Sequence, residues 1–447
     1  MVVLAVGGCG GGDDPENKPV TITHLRHDNP PYAMADDQAF AAYTAAHPNV
    51  KIENSTVKYQ TLGSKLLTEL KADHLDGIDL VRVIPSWVCS FANNLADVPE
   101  DVVTLGQAQS SFFAAPLAGS ICDGKLKGLP IEYNLEYGGV VVNMDQYQAK
   151  FPGKTPSWNE WGAFIDEAAS LTQYDSTGKP RANGLDIELS GWPQPAKHIF
   201  LSQILQRNGK YWTGTGETPN FAKGDNFDFT NEAAKATLTE MVKWVNDKKI
   251  LHRELIPESN TFVTTRLAMG ATGYGWSDVT KPLSIMGYAG TWAVPNTVSQ
   301  VPAGMNTKYE FHALPPMVGA QHKFVQNSGF ALVVPKTSKN QKLAWEIAKS
   351  IALSPEGARK WTTIGGALPA LKANATTEAV KADPMLAKVV NLLDQGRWVG
   401  YIPAGAIETV EGAIVSSFKD AVVGTKTIDQ ALMEMQTAAN NALMQHR

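Results

Sequence analysis

Between residues 19 and 84 the chain switches repeatedly between two hydrophobic periods. "PVTITHLR" (19–26), "NVKIENSTV" (49–57) and "IDLVRVI" (78–84) are short runs rich in β-branched residues and read as strands. "DDQAFAAYTAAHP" (36–48) and "YQTLGSKLLTELKAD" (59–73) space their large residues helically, through Phe40, Tyr43 and His47 and through Leu62, Leu66 and Leu70. Strands alternating with helices predict an α/β fold with a mostly parallel sheet covered on both faces. Ligands of such sheets sit beyond the carboxyl ends of the strands. That rule selects His27, Asp28 and Asn29 after the first strand and Ser86-Trp87 after the third.

Further along, "TPSWNEWGAFIDEAASLT" (155–172) opens with a Ser-x-x-Glu pattern at Ser157 and Glu160, predicting a capping box and a helix with Trp161, Ile165, Ala168 and Leu171 on one face. "NEAAKATLTEMVKWVNDKK" (231–249) places Leu238, Met241 and Val245 on one stripe. "SKNQKLAWEIAKSIALSPEGARKW" (338–361) reads as two helices split at Ser354-Pro355, a cap followed by a first-turn proline. On these faces Trp158, Trp161, Trp244, Trp345 and Trp361 are packing residues.

At 447 residues the chain exceeds the size at which one core keeps growing, so two or three lobes are expected. With 43% hydrophobic and 19% charged residues it is globular. A net charge of −5 without a basic stripe argues against nucleic-acid binding. No apolar run approaches the roughly 20 residues of a membrane-spanning helix. The first residues, "MVVLAVGGCGGGDDPENKP", give an apolar run, two small residues, Cys9 and a Gly-rich tether. They resemble a bacterial lipobox, so residues 1–18 are expected to be a signal remnant and tether, with Cys9 lipidated and the folded part anchored to a membrane it does not span. Of three cysteines this leaves Cys89 and Cys122, which in an exported protein are expected to pair.

The sequence contains no Gly-x-Ser-x-Gly elbow, Walker loop, His-Glu-x-x-His or Gly-x-Gly-x-x-Gly. The nine histidines are scattered and there is no Cys-x-x-Cys, so neither metal nor cofactor is expected. A carboxylate pair for glycoside hydrolysis need not be adjacent in sequence. A secreted carbohydrate hydrolase is therefore the alternative class.

Several segments taken in order resemble the extracellular solute-binding proteins of ABC importers, in the sugar-binding branch that includes maltose-binding proteins. "GKLKGLPIEYNLEYGGVVVNMDQY" (124–147) is similar to the family's Gly-Lys-Leu turn, Gly-Leu-Pro strand, site loop and following strand. "FVTTRLAMGATGYGW" (262–276), the 327–361 stretch beginning "NSGFALVVPKTS" and "TIDQALMEMQTAANNAL" (427–443) are similar to later family segments. The resemblance covers nearly everything after residue 18. It implies two discontinuous lobes, 19–134 with 312–368 and 135–311 with 369–447, crossing near 132–137, 309–313 and 367–372. A hinged cleft would clamp the ligand. It also implies a noncatalytic monomer outside the cytoplasm, delivering a mono- or oligosaccharide to permease subunits with their ATPase.

A sugar needs aromatic plates for its C–H face and carboxylates or amides for its hydroxyls. Tyr133, Asn134 and Glu136 supply both kinds of group at the first crossing. By the resemblance, Trp87, Tyr274 with Trp276, Trp398 and Tyr401 in "GRWVGYIP" and Trp192 in "ELSGWPQ" fall in site segments, and Asp28 joins them from the first strand end. Ser86-Trp87 replace an acid and a base of the maltose-type pattern, and Glu408-Thr409 replace an aromatic pair, so maltose itself is not implied. The same groups could cage a polyamine, which is the alternative ligand.

Overall fold

The computed structural model describes residues 18–71, 77–134, 138–187, 194–252, 262–268, 282–327, 329–390 and 392–447. It is a two-lobed α/β protein built on two five-stranded sheets. In the first, β1 (Val20–His27) pairs in parallel with β2 (Val50–Val57) from Val20↔Val50 to His27↔Val57, and with β3 (Leu80–Val83) through His24↔Leu80. Ala331–Val333 and then Leu129–Pro130 extend this sheet antiparallel. All four β3 residues are buried, as expected for a strand covered on both faces.

α1 (Pro30–Ala46) begins earlier than its sequence pattern predicted. Asn29 caps it, its side chain accepting from the Tyr32 N–H at 3.1 Å, and Pro30 and Pro31 occupy the first turn, where a missing N–H costs nothing. Tyr32, Ala35, Ala39, Phe40 and Tyr43 form the buried stripe of α1, which packs on the helix Pro355–Gly365. That helix is capped by Ser354, as its sequence predicted. α2 (Tyr59–Lys71) returns the chain from β2. The Ser157–Glu160 capping box does not form: the helix spans Trp161–Leu171 with Glu160 at its cap, making no side-chain cap bond. Trp158 instead donates to Glu167, at 2.8 Å.

The second sheet has the order Tyr309–Ala313, Gly139–Asn143, Ser284–Ala289, Pro180–Asp186, Gln173–Tyr174. Helices Gln194–Gln206, Glu232–Asn246, Ala404–Val423 and Ile428–His446 pack together beyond it.

Where the chain passes between the lobes, segments meet at one side chain. The Tyr133 N–H donates to the Leu368 carbonyl at 2.6 Å, its hydroxyl donates to the Leu393 carbonyl at 2.5 Å, and that hydroxyl accepts from Gln326 Nε2 at 2.7 Å. Gly396 lies against this knot, where a Cβ would fall 1.9 Å from both the Tyr133 hydroxyl and Gln326 Nε2.

Candidate functional site: a cavity between the lobes

The carboxyl ends of β1 and β3 face the second lobe across a cavity of about 360 Å³. The first lobe contributes His27, Asp28, Asn29, Tyr32, Tyr59 and Ile84. The second contributes Phe262–Thr264 at one helix start, Tyr288 and Ala289 at a strand end, and Trp292, Asn296, Ser299 and Gln300 around the helix Ala293–Val298. Asn134, Asn327, Gly329 and Phe330, from the segments that cross between lobes, complete the lining. Gln300 ties the second-lobe wall together, donating to the Thr264 hydroxyl at 3.0 Å and the Asn296 carbonyl at 3.1 Å.

Seven of the lining residues carry aromatic rings: His27, Tyr32, Tyr59, Phe262, Tyr288, Trp292 and Phe330. His27 stacks on Phe330 with ring centres 4.7 Å apart, Tyr59 meets His27 edge-on at 5.0 Å, and Tyr59 faces Phe262 of the other lobe at 6.5 Å. Burial, reinforced by the Arg82 charge, holds the His27 imidazole well below its usual range, so this ring is neutral at pH 7. Burial keeps the Tyr288 phenol protonated far beyond pH 10. The described lining residues include no lysine or arginine, and Asp28 is their single carboxylate.

Behind the wall lies a buried ionic support. Arg82 pairs with Asp36 at 2.7 Å and donates to the His27 carbonyl at 3.1 Å. Its guanidinium lies over the rings of Tyr32, Phe330 and Trp361, 5.2–5.5 Å from their centres. One cation thus braces two wall rings and the strand end that presents Asp28. On the floor, Asn134 Nδ2 donates to Glu132 at 2.8 Å. Among the described residues, Asn134 Oδ1, Asn327 Oδ1 and Trp292 Nε1 are buried and find no hydrogen-bond partner. Buried polar atoms are seldom left so, and a polyhydroxylated guest would supply what these lack.

Of the residues singled out from sequence, His27, Asp28, Asn29 and Asn134 line this cavity. Asp28 also accepts from the Tyr59 N–H at 2.8 Å, fixing the start of α2. Tyr133 does not line it: the side chain is fully buried in the knot between crossing segments. Trp87 sits on the short helix Pro85–Val88 with its ring edge over Gly63 of α2. Trp398 packs on Gly119, and Tyr401 donates to the Ser90 hydroxyl at 3.0 Å. These three aromatics gather beside the Cys89–Cys122 disulfide, which forms as expected, instead of lining the cavity. Glu136, Trp192, Tyr274, Trp276 and the Cys9 segment lie outside the described residues.

The sequence reading passed over Tyr59, Phe262, Tyr288, Trp292, Asn327 and Phe330. Trp292 carried a usable signal. It closes "GYAGTW" after a strand, the same Gly-and-aromatic pattern that drew attention to "GYGW" at 273–276. Among the described residues no His, Cys, Asp and Glu cluster is suited to a metal, and no helix is long and apolar enough to cross a membrane.

Residues 38–388 match the family model for bacterial extracellular solute-binding proteins. A binding protein of Brucella abortus (strain 2308) is 24% identical over 366 residues, 81% of this chain and 79% of that protein. Maltose-bound T. maritima MalE3 superposes with a TM-score of 0.72 at 15% identity, covering 94% of this chain and 98% of that one. The GacH receptor of Streptomyces glaucescens, solved unliganded and with acarbose, gives 0.72 at 17% identity, covering 96% and 99%.

Proposed function

The chain belongs to the family of bacterial extracellular solute-binding proteins, and from that premise we propose that it captures a neutral carbohydrate between its lobes and delivers it unaltered to the permease of an ABC importer. In this reading Cys9 carries a lipid anchor and the receptor acts as a monomer outside the cytoplasm. The two lobes, each built on one five-stranded sheet and the second including all of Tyr309–Ala313, hinge at the crossings. Ligand contacts to both walls favour the closed form.

The observation that carries the reading is the chemistry of the cavity wall. Neutral rings and amides share the lining, and among the described residues two buried amide oxygens and an indole N–H have no partner. Burying ~60–100 Å² of a sugar's C–H face on one ring contributes roughly 1.5–2.5 kcal/mol. Each neutral hydrogen bond adds about 1 kcal/mol, and one to Asp28 about 1.5–3 kcal/mol. Stacking therefore supplies much of the affinity, and the amides select the epimer. The maltose and acarbose held by the two structural relatives agree with a saccharide ligand. Anions find no cationic side chain among the described lining residues.

A thermal-shift screen tests the proposal, using hexoses, pentoses, di- and trisaccharides, putrescine and choline. A sugar at a hundred times its dissociation constant stabilises the protein by about 2.7 kcal/mol. The expected result is a shift with at least one sugar, none with the amines, and sugar recovered chemically unchanged. A shift with amines alone replaces carbohydrate by a cationic ligand. Accumulation of a cleavage product makes the protein a hydrolase.

A further inference from the structure

Glu132 has no exposure and is not one of the residues that line the cavity, yet it touches one that does. Asn134, 2% exposed, donates from Nδ2 to Glu132 Oε1 at 2.8 Å. A carboxylate oxygen offers lone pairs, so an amide that meets it turns its NH2 toward it. Oδ1 is left on the other branch of the same planar group, and among the described residues it finds no partner. An amide free to rotate meets a ligand as donor or as acceptor. Half a turn here would set two oxygens against each other in a buried place, so Asn134 keeps one orientation.

We infer that Glu132 is a positioning residue for ligand choice: it holds the Asn134 amide with its oxygen toward the cavity, so that the floor selects a sugar hydroxyl able to donate. This rests on the carbohydrate reading and narrows it to one position on the sugar.

Glu132 is itself held in place. Gly329, a lining residue with a φ of +78°, lies so close that a Cβ there would fall 2.4 Å from Glu132 Cγ. Burial, with the Glu132 charge adding to it, pushes the Tyr32 phenol well above its usual range. Burial lowers the Arg82 guanidinium, and the charges of Asp36 and Glu132 oppose that effect. The carboxylate thus belongs to the ionic support behind the aromatic wall and passes its rigidity to an oxygen that a ligand meets. Asn327 Oδ1, on another crossing segment, is buried in the same condition, so the floor carries two amide acceptors. A sugar position bonded there must carry a donor. Fluorine in place of that hydroxyl keeps the size, removes the donor and leaves the amide oxygen buried against a second acceptor.

The test is isothermal titration of the full chain with glucose, galactose, mannose, xylose, maltose and cellobiose. The sugar that binds best is titrated again with each hydroxyl in turn replaced by fluorine. At one position the replacement is expected to weaken binding about 10-fold or more, and Asn134→Ala is expected to close that gap, which marks the hydroxyl on Asn134. Glu132→Asp keeps the charge but draws the oxygen back by one methylene, and is expected to narrow the same gap to about 3-fold or less. Glu132→Gln loses the charge but keeps an acceptor oxygen in place, and is expected to bind more weakly while retaining a gap of about 5-fold or more. A carboxylate that served only to stabilise Arg82 would give the reverse order, with Asp tolerated and Gln impaired, and that result overturns the inference. So does a gap that both variants treat alike, or an Asn134→Ala protein in which no gap closes. Should either variant not fold, exchange of the Asn134 side-chain NH2 protons in the unmodified protein decides. Protection already present without sugar is expected, and protection gained only on sugar binding overturns the inference. Absence of binding by every sugar overturns the carbohydrate reading and this inference with it, an outcome distinct from a gap that fails to move.

Discussion

Replacing Arg82 by methionine removes a guanidinium on which several groups depend. The side chain has no exposure, and Asp36, its partner at 2.7 Å, has 1%. Removing one member of a buried pair costs about 3–5 kcal/mol, because the other charge stays behind unpaired. Arg26 remains 3.5 Å from Asp36, which favours the lower part of that range at pH 7.5. The penalty depends on pH in a definite direction. Burial already raises Asp36 from 3.8 to about 6, against the opposing charges of Arg82 and Arg26. Without Arg82 it rises further, so around neutrality the folded chain binds a proton that the unfolded chain does not. Stability of the variant then falls as pH rises through that window, by about 1.4 kcal/mol per unit at most. His24 and His27, which Arg82 helps to keep neutral, shift in the same sense. Moving from pH 7.5 to 5.5 is therefore expected to recover about 1–2 kcal/mol of the deficit relative to the unmodified protein. Urea unfolding of the parent, Arg82→Met, Asp36→Asn and the double variant at both pH values measures this, with a coupling energy of about 2 kcal/mol or more expected at pH 7.5. Additive single costs together with an equal deficit at both pH values would refute the assignment of Arg82 and Asp36 as one ionic support.

Other perturbations probe separate parts of the structure. Cys89→Ser with Cys122→Ser opens a loop spanning 33 positions, and loop-closure entropy puts the loss at about 3–4 kcal/mol, readable as a lowered melting temperature that dithiothreitol reproduces in the parent. Tyr133→Phe takes the donor from the Leu393 carbonyl and the acceptor from Gln326, costing about 1–3 kcal/mol. Hydrogen exchange is expected to quicken first near 133, 326, 368 and 393, and uniform protection loss would contradict a local knot. His24, lowered from 6.5 to about 3 by burial ahead of the Arg82 charge, stabilises fully above pH 6.5 and less as pH falls toward 3. Its share is about 1.4 kcal/mol per pH unit. His24→Asn should therefore flatten the fall in melting temperature between pH 6.5 and 4.5.

Hydrophobic period was enough to read the alternating strands and helices of the first lobe, and the end of β1 directed attention to Asp28, which lines the cavity. It was not enough to say which way an aromatic ring turns. Trp87 follows β3 as the strand-end rule requires, but it sits on a four-residue helix whose exposed face the sequence does not define, and Gly63 of α2 receives its ring. Tyr133 lies between Leu129–Pro130 of one sheet and Gly139–Asn143 of the other. Its hydroxyl is claimed by Leu393 and Gln326, some 260 and 193 positions away, and such partners have no local signal. Phe330 and Asn327 were invisible for a related reason. They follow the return crossing, where "QNSGF" carries no period, and only assembly of the two lobes brings them opposite Trp292. The start of α1 was missed differently: the helical spacing of large residues begins only near Phe40, whereas Pro30 and Pro31 form the first turn.

A crystal structure of the protein with the sugar that gives the largest thermal shift tests the central claim most directly. A pyranose or furanose ring is expected between the His27–Phe330 side and Tyr288 and Trp292, with hydroxyls bonded to Asn134 and Asn327. Sugar density elsewhere, or a cavity that stays filled by water while the sugar binds at the surface, would contradict it.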